Sequence, residues 1–88
     1  MAHVFIPTLL RAATGGASEI TVTGCATVRE VVNALEELFP GIGAKLTGPN
    51  MAIAVDGEVS PVGLMEPVGP DSEVHFVTAI KGGTRAAR

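Results

Sequence analysis

Residues 27–42 read TVREVVNALEELFPGI, and the fold can be worked out from this segment. Apolar side chains recur in it every three or four residues, a spacing that places them on one face of an amphipathic helix. Thr27 followed by Glu30 has the pattern of a capping box, and Pro40-Gly41 marks the end of the helix. The sequence therefore predicts a helix over residues 28–39 that packs on a sheet through one face, formed by Val28, Val31, Val32, Leu35 and Leu38.

Two strands are predicted before this helix. Residues 3–12 (HVFIPTLLRA) are apolar and β-branched enough for a first strand. Pro7 removes a donor from the hydrogen-bond ladder, so we expect a gap or bulge there. Residues 14–18 (TGGAS) read as a turn, and residues 19–23 (EITVT) alternate with period two. Together these segments predict an N-terminal hairpin.

Further strands are predicted after the helix. Ile42 and Leu46 are expected to tuck under the sheet in a looser segment. Residues 51–60 (MAIAVDGEVS) contain a strand, an Asp56-Gly57 signal for a tight hairpin turn, and a short returning strand. Residues 73–80 (EVHFVTAI) form the last strand.

This order of elements predicts an α+β domain of the β-grasp type. One main helix packs on a mixed sheet of four to five strands, with the first and last strands parallel in the middle. Both of those strands are strongly apolar, as central strands should be. We expect the domain to cover residues 1–81 and a flexible tail to cover residues 82–88.

Composition excludes several classes of function. The chain has 88 residues, 47% of them hydrophobic, which suits one small domain with a packed core. It has a net charge of −3 and six Lys and Arg, half of them after residue 80, so nucleic acid is not an expected partner. No apolar run approaches the ~18 residues needed to cross a bilayer. We therefore expect no membrane partner and a cytoplasmic location.

No group of side chains resembles a catalytic or metal site. His3 and His75 are isolated, and the single cysteine excludes an internal disulfide and a Cys-rich metal site. We expect no catalytic residue, no metal and no bound cofactor, so the chain is not predicted to be an enzyme. Cys25 precedes the helix, whose N-terminus can lower a thiol pKa. A small, half-buried structural residue is the favoured interpretation of it.

The Gly82-Gly83 pair is the candidate functional site. Two residues without side chains can pass through a narrow channel in a partner and can adopt backbone conformations closed to other residues. An extended segment from Thr78 to Gly83 spans roughly 20 Å, enough to carry its end into a partner's active site. We assign the reacting position to Gly83, with Gly82 and Lys81 passing through the channel.

A second candidate site lies on the sheet face that the helix leaves open. Phe5, Leu9 and Val77 are expected to form an apolar patch there, and such patches often mark docking surfaces on small domains. Coverage of the patch by a loop or by a second copy of the chain is the alternative.

The chain resembles the MoaD/ThiS group of ubiquitin-like sulfur carriers, and within it the CysO branch, which supplies sulfur for cysteine synthesis. The resemblance rests on VFIPTLLR (4–11), TGG (14–16), residues 27–42 and VHFVTAIKGG (74–83). It implies an E1-like activating enzyme that uses ATP to adenylate the carboxylate of the terminal glycine, here Gly83. A sulfur donor then forms a thiocarboxylate, which delivers sulfur to a biosynthetic enzyme. Cysteine, thiamine, molybdopterin and thiolated tRNA all remain open as products, with cysteine ahead.

One feature departs from the family pattern. Family members end at the second glycine, whereas this chain continues with TRAAR (84–88), so Gly83 has no free carboxylate. Three explanations are open: removal by a protease such as a zinc-dependent JAMM-type peptidase, addition from an expression vector, or loss of carrier activity. The alternative function is a ubiquitin-like protein modifier or an interaction module, which would use the same tail.

Overall fold

The structure is a computed structural model that describes residues 1–48 and 51–78. It contains five strands, two α-helices and two short 3₁₀ helices. The strands are β1 (Ala2–Phe5), β2 (Glu19–Val22), β3 (Met51–Val55), β4 (Glu58–Val59) and β5 (Glu73–Thr78), and the helices are α1 (Val28–Leu38) and α2 (Ile42–Leu46). The 3₁₀ helices are Thr8–Thr14 and Gly63–Met65. No helix in these described ranges is long and apolar enough to cross a membrane.

The five strands form one mixed sheet in the order β2-β1-β5-β3-β4. β1 and β5 are parallel neighbours, with Val4 opposite Val74, and the other pairs are antiparallel. Both central strands bury alternate side chains completely, among them Val4, Val74 and Phe76. The predicted β-grasp arrangement, with the first and last strands side by side, is confirmed.

Helix α1 begins at the predicted capping box. The Thr27 hydroxyl accepts a hydrogen bond from the Glu30 backbone N–H at 3.4 Å, and the Glu30 carboxylate accepts one from the Ala26 N–H at 2.7 Å. Four of the five residues predicted to pack on the sheet are buried: Val28, Val31, Val32 and Leu35.

The prediction for Leu38 is wrong, because 58% of this residue is exposed. At 3.6 residues per turn it lies about 80° around the helix from Val28, at the edge of the apolar face, and on the last turn. The chain then turns into α2, which contacts α1 and contributes the buried residues Ile42 and Leu46 to the core. These two residues were expected in a looser segment, and the structure places them on a short helix.

The first strand is shorter than predicted. It ends at Phe5, and residues 8–14 form a 3₁₀ helix instead of extending the strand to residue 12. Pro7 explains the difference, because it has no N–H for the ladder and its φ is fixed near the −65° observed at the start of this helix. The proline therefore ends the strand rather than producing a bulge in it.

The predicted hairpin turn at Asp56-Gly57 is confirmed. Both residues have positive φ, 53° and 88°, which a two-residue type I′ turn requires. The last strand ends at Thr78 as described, and residues 79–80 of the predicted strand lie outside the described ranges.

The junction between α1 and α2 is held by one carboxylate. Glu36 accepts hydrogen bonds from the backbone N–H groups of Gly41 at 2.7 Å and of Gly43 at 2.8 Å. These two bonds favour the ionised form, so they lower the pKa of the Glu36 carboxyl below its usual value.

Leu35 is fully buried under the sheet, so truncating it should open a cavity. We expect Leu35→Ala to lower the free energy of unfolding by about 2–5 kcal/mol. Urea unfolding followed by circular dichroism measures this. The matched control is Leu38→Ala in the same helix, which should cost within about 0.5 kcal/mol because its side chain is largely exposed. Equal costs for the two variants would contradict the packing described here.

The Glu36 contacts predict a pH dependence of stability. Because the pKa is lower in the folded state than in the unfolded chain, the stabilisation is present above the unfolded pKa of about 4.3 and is lost as pH falls through the folded value. Glu36→Gln should therefore be less stable than the parent at pH 7, and the difference should shrink as pH falls below about 4. Urea unfolding at several pH values measures this, with the exposed Glu37→Gln as control. If the difference in free energy of unfolding between Glu36→Gln and the parent does not change with pH, the ionised Glu36 carboxylate is not the source of the stabilisation.

Candidate functional site

The sheet face opposite α1 carries a row of side chains that crosses four strands. Phe5 on β1 is paired with His75 on β5, His75 with Ala54 on β3, and Ala54 with Val59 on β4. The rings of Phe5 and His75 are stacked, with centroids 4.3 Å apart and planes 6° from parallel. Because side chains alternate along a strand, these residues face away from the core that Val4 and Val74 enter. We call Phe5, His75, Ala54 and Val59 the open-face row.

The predicted patch residues are only partly brought together. Phe5 is half-buried in the open-face row, and Val77, 42% exposed, lies two residues beyond His75 on the same face. Phe5 and Val77 also line one groove at the end of β1. Leu9 is 79% exposed, but it lies on the 3₁₀ helix rather than on the strand where it was expected. The structure therefore brings Phe5 and Val77 together and gives Leu9 a separate position.

Three members of the open-face row, His75, Ala54 and Val59, were not among the predicted site residues. Val59 is 70% exposed, and the sequence indicated only that it lies on a short returning strand. His75 was interpreted as an isolated strand histidine. The period-two pattern of β5 already placed His75 on the same face as Val77. Its stacking on Phe5 required the register between β1 and β5, which the sequence pattern does not contain.

Charged side chains border the row. The His3 Nδ1 atom lies 2.9 Å from a Glu19 carboxylate oxygen across β1 and β2, and the His75 Nε2 atom lies 3.6 Å from a Glu73 carboxylate oxygen. The open face therefore carries Phe5, Ala54 and Val59 beside a histidine, with carboxylates at its border, an arrangement suited to contact with another protein surface.

Cys25 does not have the environment of a reactive thiol. It is half-buried, and its Sγ lies 3.7 Å from the backbone oxygen of Thr23. Partial burial, followed by the negative charge of Glu30, raises the pKa of the Cys25 thiol. The carboxylate that caps α1 thus opposes any effect of the helix N-terminus, which supports the structural interpretation of this residue.

The tail positions Lys81, Gly82 and Gly83 lie outside the described residues. The strand that leads to them is β5, at the centre of the sheet, and its last described residue is Thr78. Thr78 itself lines the groove that Phe5 and Val77 line. Within residues 1–48 and 51–78, no group of three or more His, Cys, Asp or Glu is arranged to hold a metal ion.

Two solved structures are similar to this chain over nearly its whole length. A chain of the Amycolatopsis orientalis BexX/CysO complex is 30% identical, with 94% of this chain and 100% of that chain covered and a TM-score of 0.84. Mycobacterium tuberculosis CysO, described as an antigen, is 27% identical, with 91% and 100% covered and a TM-score of 0.82.

A more distant structure, SAMP1 from Haloferax volcanii, is 20% identical, with 93% of this chain and 98% of that chain covered. Its TM-score of 0.69 shows a common fold. No curated protein sequence matches the chain significantly.

The ThiS family model matches residues 4–83, which is nearly the whole chain and ends at the second glycine. The β-grasp sheet, with β1 and β5 at its centre, agrees with this match and with both CysO structures. The protein therefore belongs to the ThiS family of ubiquitin-like sulfur carriers.

Proposed function

We propose that the carrier is active as the form that ends at Gly83, whose carboxyl group is converted to a thiocarboxylate. The observation that carries this proposal is the end of the family match at Gly83, five residues before the end of the chain. The described domain has its central strand β5 leading to this segment. The domain thus supplies recognition, and the reacting carboxyl lies at the end of the tail.

The proposed chemistry takes place on partner proteins. In an E1-like activating enzyme, the Gly83 carboxylate attacks the α-phosphorus of ATP, which gives an acyl-adenylate and releases pyrophosphate. Sulfide from a donor then attacks the acyl carbon and displaces AMP, which leaves a thiocarboxylate. A biosynthetic enzyme accepts this sulfur, and similarity to CysO favours cysteine as the product. In this proposal the catalytic groups for these steps belong to the partners.

Residues 84–88 must be removed before this cycle can begin. While Thr84 is attached, the Gly83 carbonyl belongs to a peptide bond and has no carboxylate oxygen to attack ATP. We propose that a protease, of the zinc-dependent JAMM type, cleaves after Gly83. A glycine at this position suits both enzymes, because it adds no side chain near the bond that reacts.

The open face is the proposed contact surface for the activating enzyme. The open-face row and Val77 lie on one face of the sheet, and Val77 is next to Thr78, the last described residue before the tail. The BexX/CysO complex shows that a relative binds a partner protein. A partner that receives the tail would at the same time cover this face, which would bury the exposed parts of Val59 and Val77.

We expect the chain that ends at Gly83 to be charged with sulfur and the 88-residue chain to remain uncharged. The reason is chemical, since adenylation needs a free carboxylate. Intact-protein mass spectrometry after incubation with ATP, the activating enzyme and sulfide should show the mass difference between sulfur and oxygen on the shorter form alone. The longer form should gain it only after the processing protease is added.

Two further results decide this proposal. Gly83→Val in the shorter form should slow charging, because a branched side chain adds bulk and restricts φ. Charging of the untruncated chain would show that Gly83 is not the reacting residue. Failure of both forms with an activating enzyme that charges its own carrier would favour an interaction module instead.

Substitutions at Val77 on the open face, and at Leu9 on the neighbouring 3₁₀ helix, should separate binding from stability. We expect Val77→Arg and Leu9→Arg to weaken binding of the activating enzyme, because a buried guanidinium without a partner opposes contact with an apolar surface. Isothermal titration calorimetry measures this. Both positions are exposed, so the free energy of unfolding should change by no more than about 0.5 kcal/mol.

Met65→Arg is the matched control for these variants. Met65 is 74% exposed, and it lies on the 3₁₀ helix that packs near α1 rather than on the open face. Binding that is insensitive to Val77→Arg, or equally sensitive to Met65→Arg, would rule out the open face as the contact surface.

A further inference from the structure

The two central strands separate before β5 ends. Pairing between β1 and β5 stops at Phe5 opposite His75, whereas β5 continues to Thr78 and stays paired with β3 as far as Met51. Residues 76–78 of β5 are therefore paired with β3 along one edge of the strand. Their other edge lies beyond Phe5, the last residue of β1 that pairs with β5. A free strand edge at this position is unusual, because β5 is the central strand of the sheet.

Two hydrogen bonds define which backbone groups face that side. The His3 N–H donates to the Ser72 oxygen at 2.8 Å, and the Asp56 N–H donates to the Glu73 oxygen at 2.9 Å. Alternation along β5 then directs the N–H and C=O groups of Phe76 and Thr78 toward β1. The next donor in line for the Phe76 carbonyl would be the N–H of residue 7, which proline lacks. The Phe76 carbonyl and the Thr78 N–H are thus beyond the end of the β1–β5 ladder.

These groups lie in a groove of about 380 Å³. One wall is formed by residues 5–8 and Arg11, and the other by residues 75–78. The Arg11 side chain is held in place by its Nε–H, which donates to the Ile6 oxygen at 3.1 Å. The groove is therefore bounded by a strand edge on one side and by an anchored guanidinium on the other.

The charge of Arg11 has no carboxylate partner among the side chains of this chain. Within residues 1–48 and 51–78, the carboxylates that contact a basic group contact the N-terminus, His3 or His75. The remaining residues, 49–50 and 79–88, contain no Asp or Glu. A guanidinium presents several donors in a planar fork that fits a carboxylate. A side-chain carboxylate that binds Arg11 would therefore have to come from another molecule.

We propose that this groove binds an extended, acidic segment of a partner protein. The segment pairs with β5 where β1 has ended: it donates to the Phe76 carbonyl and accepts from the Thr78 N–H, and an Asp or Glu of the segment binds Arg11. Addition of a strand to a free sheet edge is a common mode of peptide recognition. The groove shares Phe5 and Val77 with the open face, so a partner docked there can reach it. This binding does not depend on the sulfur chemistry at Gly83.

Two synthetic peptides test the proposal: acetyl-TVEVT-amide and its neutral counterpart acetyl-TVQVT-amide. Each is titrated into the ¹⁵N-labelled 88-residue chain, and amide shifts are followed by NMR. The acidic peptide should shift the amides of Ile6, of residues 8–11 and of residues 76–78. It should bind about fivefold more tightly than the neutral one, the effect of one exposed ion pair.

Variants then assign the contacts. Arg11→Gln should abolish the preference for the acidic peptide, while Arg29→Gln, an exposed arginine on α1, should retain it. Thr78→Pro removes the N–H that faces the groove and leaves the hydrogen bonds to β3 intact. This variant should bind both peptides more weakly than the parent chain, whereas Thr78→Ala should bind them as the parent does.

Three results would overturn the proposal: equal binding of the two peptides to the parent chain, no shift with either peptide, or shifts confined to other residues. Shifts of the groove amides that depend on protein concentration without peptide would identify a second copy of the chain as the occupant. Sulfur charging of the form ending at Gly83 is measured separately, so the two proposals can fail independently.

Discussion

The parallel pairing of β1 with β5 is the constraint on which the rest of the structure depends. It pairs residues from opposite ends of the domain, with His3 opposite Glu73. All other elements lie between these two strands in the sequence, so they must fold while the two strands stay paired. Closing a loop of this length costs conformational entropy, which is recovered only when the core around Val4, Val74 and Phe76 is packed. The helix, the two hairpins and the open face all take their positions from this central pair.

The elements that the sequence predicted well are those with local physical causes. The apolar spacing of α1 and its capping box identified the helix, and the two residues at Asp56-Gly57 carried the signal for a left-handed turn. The position of Leu38 depended instead on where the chain turns after the helix, which periodicity does not include.

The same distinction applies to the candidate site. Pro7 was interpreted as a defect within a strand, whereas it ends the strand and leaves Leu9 on a 3₁₀ helix. The stacking of Phe5 on His75 follows from the register between two distant strands, so no local pattern could show it. The family resemblance, by contrast, could be seen from the sequence because it rests on motifs distributed along most of the chain.

A sulfur carrier is useful only if its sulfur cargo reacts in preference to its own thiol. The residues at the N-terminus of α1 affect this selectivity. The Glu30 carboxylate accepts a hydrogen bond from the Ala26 N–H, and its negative charge also disfavours ionisation of Cys25, the single thiol of the chain. A thiol that stays protonated is a poor nucleophile and a poor leaving group. If a thiocarboxylate is loaded on the tail, it will be the dominant sulfur nucleophile of the molecule at mildly acidic pH. The Cys25 thiol would then not compete with the thiocarboxylate for electrophiles. An alkylating reagent could label the thiocarboxylate and leave Cys25 unmodified.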